Sequence, residues 1–371
     1  MADKEKKKRI TGNVIRTVIF LCIIAIAFGV CVHTFKFKDA ERSQTTLEQF
    51  YALEDNTVDC IFFGSSATQR AFVVPEAYHE DGLVSYSFTC GTQPFMLTRY
   101  LMEETLKTQD PKLFVIELRG ACKAPEDLAE VALRRMLDNM PMSKTKLDAI
   151  KAVLEYSEGA DNGVDETGAS YYFPFLKYHG LWNPSKQPKN LELDYYEGYA
   201  LDPGLSFKLE EIYPLDFTDK QLHTAQKTQD ALRDLLDYCD TLDAKVLFVA
   251  SPYEASMEGM QKINFSQSVC ESRGYEVLNY LPAEIREDLG LDDRTCYYNR
   301  EHLNFYGSLK FTHQLTDYIM DAYDLPDRRD DPSAAAWEKE YQRLQSNLEG
   351  EYAKKYNKMM KKVNKIESGV Q

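Results

Sequence analysis

The six cysteines beyond residue 45 (Cys60, Cys90, Cys122, Cys239, Cys270 and Cys296) include no CxxC pair and no zinc-ligand spacing. That absence points away from a structural metal and toward single buried thiols. Excess positive charge is missing too. The 44 Lys and Arg face 59 Asp and Glu, a net charge of −15. Residues 1–45 carry nine basic and four acidic side chains, leaving 35 basic and 55 acidic for the rest. A body that acidic repels phosphate polyanions at long range, which argues against nucleic acid as the main partner. Disorder is excluded by the 44% hydrophobic content. Long uncharged apolar runs are absent except for one, near the start.

That run is Thr17–Val32, sixteen residues without a formal charge, preceded by the basic head Lys4–Arg9. Residues 17–35 add only His33 and Thr34 as polar side chains and are long enough to cross the hydrocarbon core. A cleaved secretory signal shares the basic head. It has a shorter apolar core, however, and a small-residue cleavage site, whereas Lys36, Phe37 and Lys38 stand here. The expectation is a single-pass anchor at the cell membrane. Basic residues concentrate before the span, which predicts a cytoplasmic N-terminus and an extracytoplasmic body.

Five short apolar runs have strand character: Asp59–Phe63, Leu83–Phe88, Lys112–Leu118, Lys245–Ala250 and Tyr275–Tyr280. Helical stretches such as Pro94–Thr108, Asp219–Leu242 and Met257–Arg273 lie between them. This alternation predicts an α/β fold with a five-stranded, mainly parallel sheet and sites at the carboxyl ends of strands. The expected domains are residues 1–45 (head and anchor), 46–325 (catalytic domain with an insertion at 122–202) and 326–371 (linker and charged helix). The insertion contains two expected helices, Ala124–Leu137 and Ser143–Ser157, and the aromatic stretch YYFPFLKYHGLWNP. It reads either as a lid or acceptor surface over the site or as a packed subdomain. Trp337–Glu367 reads as one charged helix with a basic end, a solvated or membrane-proximal tail.

Two segments carry chemistry. The first strand runs into Phe63-Gly64-Ser65-Ser66, where a serine opening a helix exposes its hydroxyl and keeps its amide free to donate. The loop Tyr298-Asn299-Arg300-Glu301-His302-Leu303-Asn304 precedes an amphipathic helix striped by Phe311, Leu315, Tyr318, Ile319 and Ala322. Asn304 is a natural N-cap there, and His302 is a candidate general base. His179 beside Tyr178 and Trp182 reads as an aromatic-cluster histidine, and His79 and His313 as surface or helix residues. Arg70 is expected to pair with a carboxylate in the fold, with a substrate anion as the alternative. Glu117 and Arg119 stand at a strand end, within reach of a pocket.

With GSS after strand one and His-Leu-Asn-x-x-Gly before the last helix, residues Asn56–Tyr323 resemble the SGNH/GDSL hydrolases. The likeness is closest to the membrane-anchored, extracytoplasmic subgroup that includes DltD-type D-alanine transfer proteins. Ser251-Pro252-Tyr253 and Tyr178-His179-x-x-Trp182 also look like that subgroup. The resemblance implies a three-layer α/β/α, flavodoxin-like fold with Ser66 as nucleophile and His302 as base. It further implies an oxyanion hole from the amides of Ser66 and Gly91, and no metal or cofactor. The family's aspartate position is occupied by Asn299, which can orient an imidazole but brings no charge. Asp292 and Asp293 are nearby substitutes if the loop folds back. The family's Gly-x-Asn-Asp block is replaced by Glu117-Leu118-Arg119-Gly120, so one oxyanion donor is unassigned.

The expected activity is that of a serine esterase or O-acyltransferase. Its substrate would be an acylated envelope glycopolymer, such as a polysaccharide or teichoic acid, or a small acyl ester. The same analogy implies a membrane-bound O-acyltransferase partner. The competing expectation is a non-catalytic scaffold or assembly protein of an envelope polymer pathway that keeps the fold with a lapsed triad.

Overall fold

The computed structural model describes residues 2–35, 37–39, 43–189, 194–201, 205 and 217–369. Lys36, Arg42 and Asp202, the last residue of the expected insertion, lie outside them. One apolar helix, Ala2–Thr34, runs through the basic head, and its stretch Arg9–Val32 is long and apolar enough to cross a membrane. At 1.5 Å per residue those 24 residues extend for roughly 36 Å, against a hydrocarbon core of about 30 Å.

The chain contains β1 (Cys60–Phe63), β2 (Ser85–Ser87), β3 (Leu113–Glu117), β4 (Tyr195–Tyr196), β5 (Tyr199–Ala200), β6 (Lys245–Ala250), β7 (Glu276–Asn279), β8 (Tyr297–Asn299) and β9 (His302–Leu303). All five apolar runs picked out in the sequence are strands of one sheet, in the order β2-β1-β3-β6-β7, and every pairing in it is parallel. The residues of β1 and β3 are buried throughout, since a strand between two helical layers meets apolar neighbours on both faces. On one side the helices Val74–Asp81, Phe305–Tyr323 and Ala335–Glu349 pack on one another; Thr98–Thr105, Gln226–Cys239 and Met257–Ser272 form a second group. Outside the helix Ala2–Thr34 the cysteines are free thiols, buried or nearly so.

The β2 edge is blocked. Trp337 Nε1 donates to the Ser85 carbonyl (2.8 Å), and the Ser87 amide donates to the Glu197 carbonyl (3.0 Å) at the tip of the β4–β5 hairpin. Covering the edge this way removes a template for strand addition.

The region after residue 325 differs from the expected tail. It forms two helices, Ala335–Glu349 and Ala353–Glu367, broken at Gly350. Trp337, Leu344, Leu348, Met359 and Val363 are buried in the main core. Their spacing of seven and four residues in the first helix and four in the second makes an apolar stripe that the abundant Lys and Glu conceal. The linker itself is pinned, because Arg328 forks onto both oxygens of Asp59 at 2.7 and 2.9 Å at the entrance to β1.

The insertion is a packed body. Arg134, buried in its centre, donates to the Ser170 carbonyl (2.8 Å), to Glu130 (2.9 Å) and to Asp138 (3.3 Å), and lies 3.7 Å from the Tyr171 ring centre. Lys144–Ser157 forms as expected. The other helix begins only at Glu130, after a short 3₁₀ turn at Pro125–Asp127.

Trp337 is 1% exposed and fixes the C-terminal helices to the sheet edge. Trp337→Ala is expected to lower the unfolding free energy in a urea titration by about 3–5 kcal/mol. Lys354→Ala, at an exposed position, should shift it by less than about 0.5 kcal/mol.

Candidate active site

Because the five strands are parallel, their carboxyl ends open on one side, and the chemistry-bearing segments meet there. β1 ends at Phe63, and the turn Gly64-Ser65 leads into a short helix starting at Ser66. Gly64 is needed for close approach. A Cβ at that position would lie 2.8 Å from the Cβ of Glu117 at the end of β3. Ser65 is extended, so Ser66 is the first helical residue and its amide has no intrahelical acceptor.

The opposite half of the site comes from the β8–β9 hairpin, more than two hundred residues later. Asn304 caps the following helix by accepting from the Gly307 amide (3.0 Å), and its Nδ2 donates to the Thr295 carbonyl (2.7 Å). The hairpin thereby presents His302, whose Nε2 lies 2.8 Å from Ser66 Oγ and whose Nδ1 lies 3.0 Å from Asn299 Oδ1. That oxygen also accepts from the Glu301 amide (2.9 Å). A backbone N–H can only donate, so the carbonyl side of the Asn299 amide faces His302. Nδ1 must then carry the proton, and Nε2 is left bare to accept from the serine hydroxyl. Ser66, His302 and Asn299 thus form one hydrogen-bonded chain.

The electrostatics are less usual. Burial pushes the His302 pKa down to about 3, and the charges of Arg70 and Arg119 push the same way. Among the described residues no carboxylate opposes them. Asp292 is held by Arg294 (2.6 Å) and Asp293 by Arg286 (3.2 Å), so neither takes the place of an aspartate at 299. The imidazole is therefore neutral across the physiological range.

A pocket of about 320 Å³ opens beside Ser66, lined also by Thr92, Gln93, Phe95, Arg119 and Asp127. Residues of the insertion, Leu128, Ala129 and Tyr156 among them, complete the wall, so this packed body also shapes the site. Arg119 is fixed by the Glu301 carboxylate (3.1 Å) and carbonyl (3.2 Å), over the Tyr253 ring at 4.3 Å. Glu117 sits below. Its Oε1 accepts from the Arg119 amide (2.9 Å), the Ser251 amide also faces the carboxylate, and burial raises its pKa to about 7.

Gly91 is buried, one residue before the pocket wall. Its carbonyl accepts from Arg135 (2.6 Å), and the same guanidinium pairs with Asp39 (2.8 Å) just beyond the helix Ala2–Thr34. His179 lies elsewhere, exposed, with Nδ1 on the Leu176 carbonyl (3.0 Å). His79 stacks on Tyr341, and His313 faces Glu76 (3.5 Å) on the helix surface.

The sequence reading overlooked Gln93. It is 5% exposed, lines the pocket with Ser66, and neither atom of its amide has a partner among the described residues. Its position two residues after Gly91 is the only signal, and a weak one. Nothing local in the sequence pointed to Arg135.

No family model matches the chain, and no curated protein matches it.

An anion beside Nδ1 favours the protonated imidazole. Asn299→Asp should therefore raise the His302 pKa from about 3 toward the ordinary 6.5. In the unaltered protein, labelling of Ser66 by a fluorophosphonate should stay flat as pH falls through that ordinary value. In Asn299→Asp the acid limb should move up toward it, and labelling at neutral pH should rise by about tenfold or more.

Proposed function

We propose that the protein is a membrane-anchored serine esterase or O-acyltransferase of the SGNH/GDSL type, similar to the DltD-type subgroup. It would act on acyl esters of an envelope polysaccharide or teichoic acid. The observation that carries this reading is the hydrogen-bonded chain Ser66–His302–Asn299 opening on a pocket. A serine without a function has no need of a bare imidazole nitrogen 2.8 Å away.

In the proposed reaction Ser66 Oγ attacks the ester carbonyl and its proton passes to His302 Nε2. The carbonyl oxygen, now negative, is held by the amides of Ser66 and Gly91, and Gln93 Nε2 stands as the third donor where the family's Gly-x-Asn-Asp block is absent. Collapse expels the alcohol, which takes the proton from His302. A water or a sugar hydroxyl then attacks the acyl-serine, returning its proton by the same route, and frees Ser66. Asn299 orients the imidazole without charge. Arg70 and Arg119 oppose imidazolium, and their positive field favours the oxyanion and an anionic glycopolymer. No metal or cofactor enters these steps.

The helix Ala2–Thr34 supports the anchored reading. In the proposed topology the positive-inside bias puts the N-terminus in the cytoplasm and the body outside it. A membrane-bound O-acyltransferase partner belongs to the same proposal by analogy.

One observation favours the scaffold reading instead. An imidazole whose pKa is about 3, with an uncharged orienter, is a weak base. Fluorophosphonate labelling of the full-length chain in detergent separates the two. The enzyme requires labelling that disappears in both Ser66→Ala and His302→Ala. A folded, unlabelled protein assigns the scaffold role. Gln93→Leu, which keeps the side chain's bulk, should slow labelling by about 10²-fold if its amide serves the oxyanion.

A further inference from the structure

The membrane helix does not stand clear of the body. Phe28 lies inside the span, four residues before its outer end at Val32. Its ring is 6.2 Å from that of Phe173 and 6.0 Å from that of Phe175, both edge-on. Four residues of helix correspond to about 6 Å along the axis. A side chain that meets Phe28 laterally therefore lies below the outer surface of the hydrocarbon. This is the depth at which interfacial helices bury their apolar faces, roughly 5–10 Å.

The segment that makes this contact is built from two short turns of helix, Phe175–Tyr178 and His179–Trp182. Trp182 is 73% exposed, Leu176 46% and Phe173 45%. Three large apolar side chains thus face outward within ten residues. In water that exposure has a cost; at a lipid boundary it is the expected arrangement, and tryptophan and tyrosine are the residues that concentrate there. The other side of the segment is fastened. Tyr178 donates to Asp138 (2.7 Å) and packs on Phe37, while Lys177 pairs with Glu130. No unpaired lysine has to enter the boundary with the aromatic rings.

We propose that Phe173–Trp182 is a second, interfacial membrane contact, with Phe173, Leu176 and Trp182 seated in the outer-leaflet lipid beside the anchor. The occupant is lipid rather than a protein partner, because Phe28 sets the depth and belongs to the span itself. This inference rests on the anchored reading above and is independent of the acyl-transfer reading. It has a consequence for the pocket. Glu130, which holds Lys177 of this segment, directly follows the pocket residues Leu128 and Ala129. The rim of the site is thereby held near headgroup level, where a lipid-linked glycopolymer would be presented.

The chain has two tryptophans, and Trp337 is buried against Ser85, so Trp182 can be read by its emission. The full-length protein would be reconstituted in vesicles of equimolar phosphatidylcholine and phosphatidylglycerol, with bromines placed at successive acyl positions. Bromines near the glycerol end should quench Trp182 emission by about twofold or more, with a smaller effect deeper, and Trp182→Phe should abolish the response. Incorporated protein whose Trp182 ignores brominated lipid but is quenched by aqueous iodide overturns the proposal and leaves the anchor intact. Protein that fails to float with vesicles overturns the proposal together with the anchored reading, and labelling of Ser66 is unaffected by either result.

Discussion

Two helices that are distant in sequence are joined by buried hydroxyls, and the site depends on that seam. Thr312 Oγ1 accepts from the Val73 amide at 2.8 Å and lies 3.3 Å from the Ala71 carbonyl; Ser308 Oγ donates to the Arg70 carbonyl at 2.7 Å. Ser308 and Thr312 are four residues apart and so lie on one face of their helix. Leaving such groups unpaired inside the protein costs about 1–3 kcal/mol each, so any slip of one helix along the other is opposed. Gly307 sharpens the fit, since a side chain there would collide with the Cys296 carbonyl. The seam fixes the start of one helix, where Ser66 stands, relative to the hairpin that carries His302. A hydrogen bond between residues 236 apart follows from it.

The influences around that bond work in one direction. Burial and two guanidinium groups keep His302 neutral, and Asn299 holds its tautomer without adding an anion. The same arrangement bears on stability. Unfolding releases His302 to its ordinary pKa, so the unfolded chain binds a proton more readily, and this group contributes stability that is lost as pH falls from about 6.5 toward 3. Glu117 has the reverse sign. Its folded pKa of about 7 lies above the ordinary 4.5, so its contribution is present at low pH and lost as pH rises through 7.

How much was legible in the sequence follows from what kind of signal each element carries. The five strands are short apolar runs bounded by turn residues, and such runs are plain when both faces of the sheet are covered. Asn304 and its helix were equally plain, because a cap and an apolar stripe are local. Ser66 and His302 were found through a motif, and the hydrogen bond between them is tertiary. What was hidden depended on packing. Trp337, Leu344 and Leu348 are diluted among charges, so a docked pair of helices reads as a solvated tail. Gln93 is an ordinary polar residue in a turn until the fold buries it. The contact of Phe28 with Phe173 and Phe175 joins the first helix to a distant insertion, and no periodicity encodes it.

Arg135 ties the loop at Gly91 to Asp39, and Asp39 is itself held in place by accepting from the amide and hydroxyl of Ser43 (2.9 and 2.7 Å). The chain just after the helix Ala2–Thr34 is therefore braced against the loop at Gly91. A shortened version of the protein, cut after residue 39, would keep Ser66, His302 and Asn299 and still lose one side of this brace. The Arg135 guanidinium would lose its Asp39 carboxylate, and the loop at Gly91 would gain freedom that the longer chain denies it. For this molecule, removing the first helix and the residues that follow it would therefore also alter the loop beside Ser66.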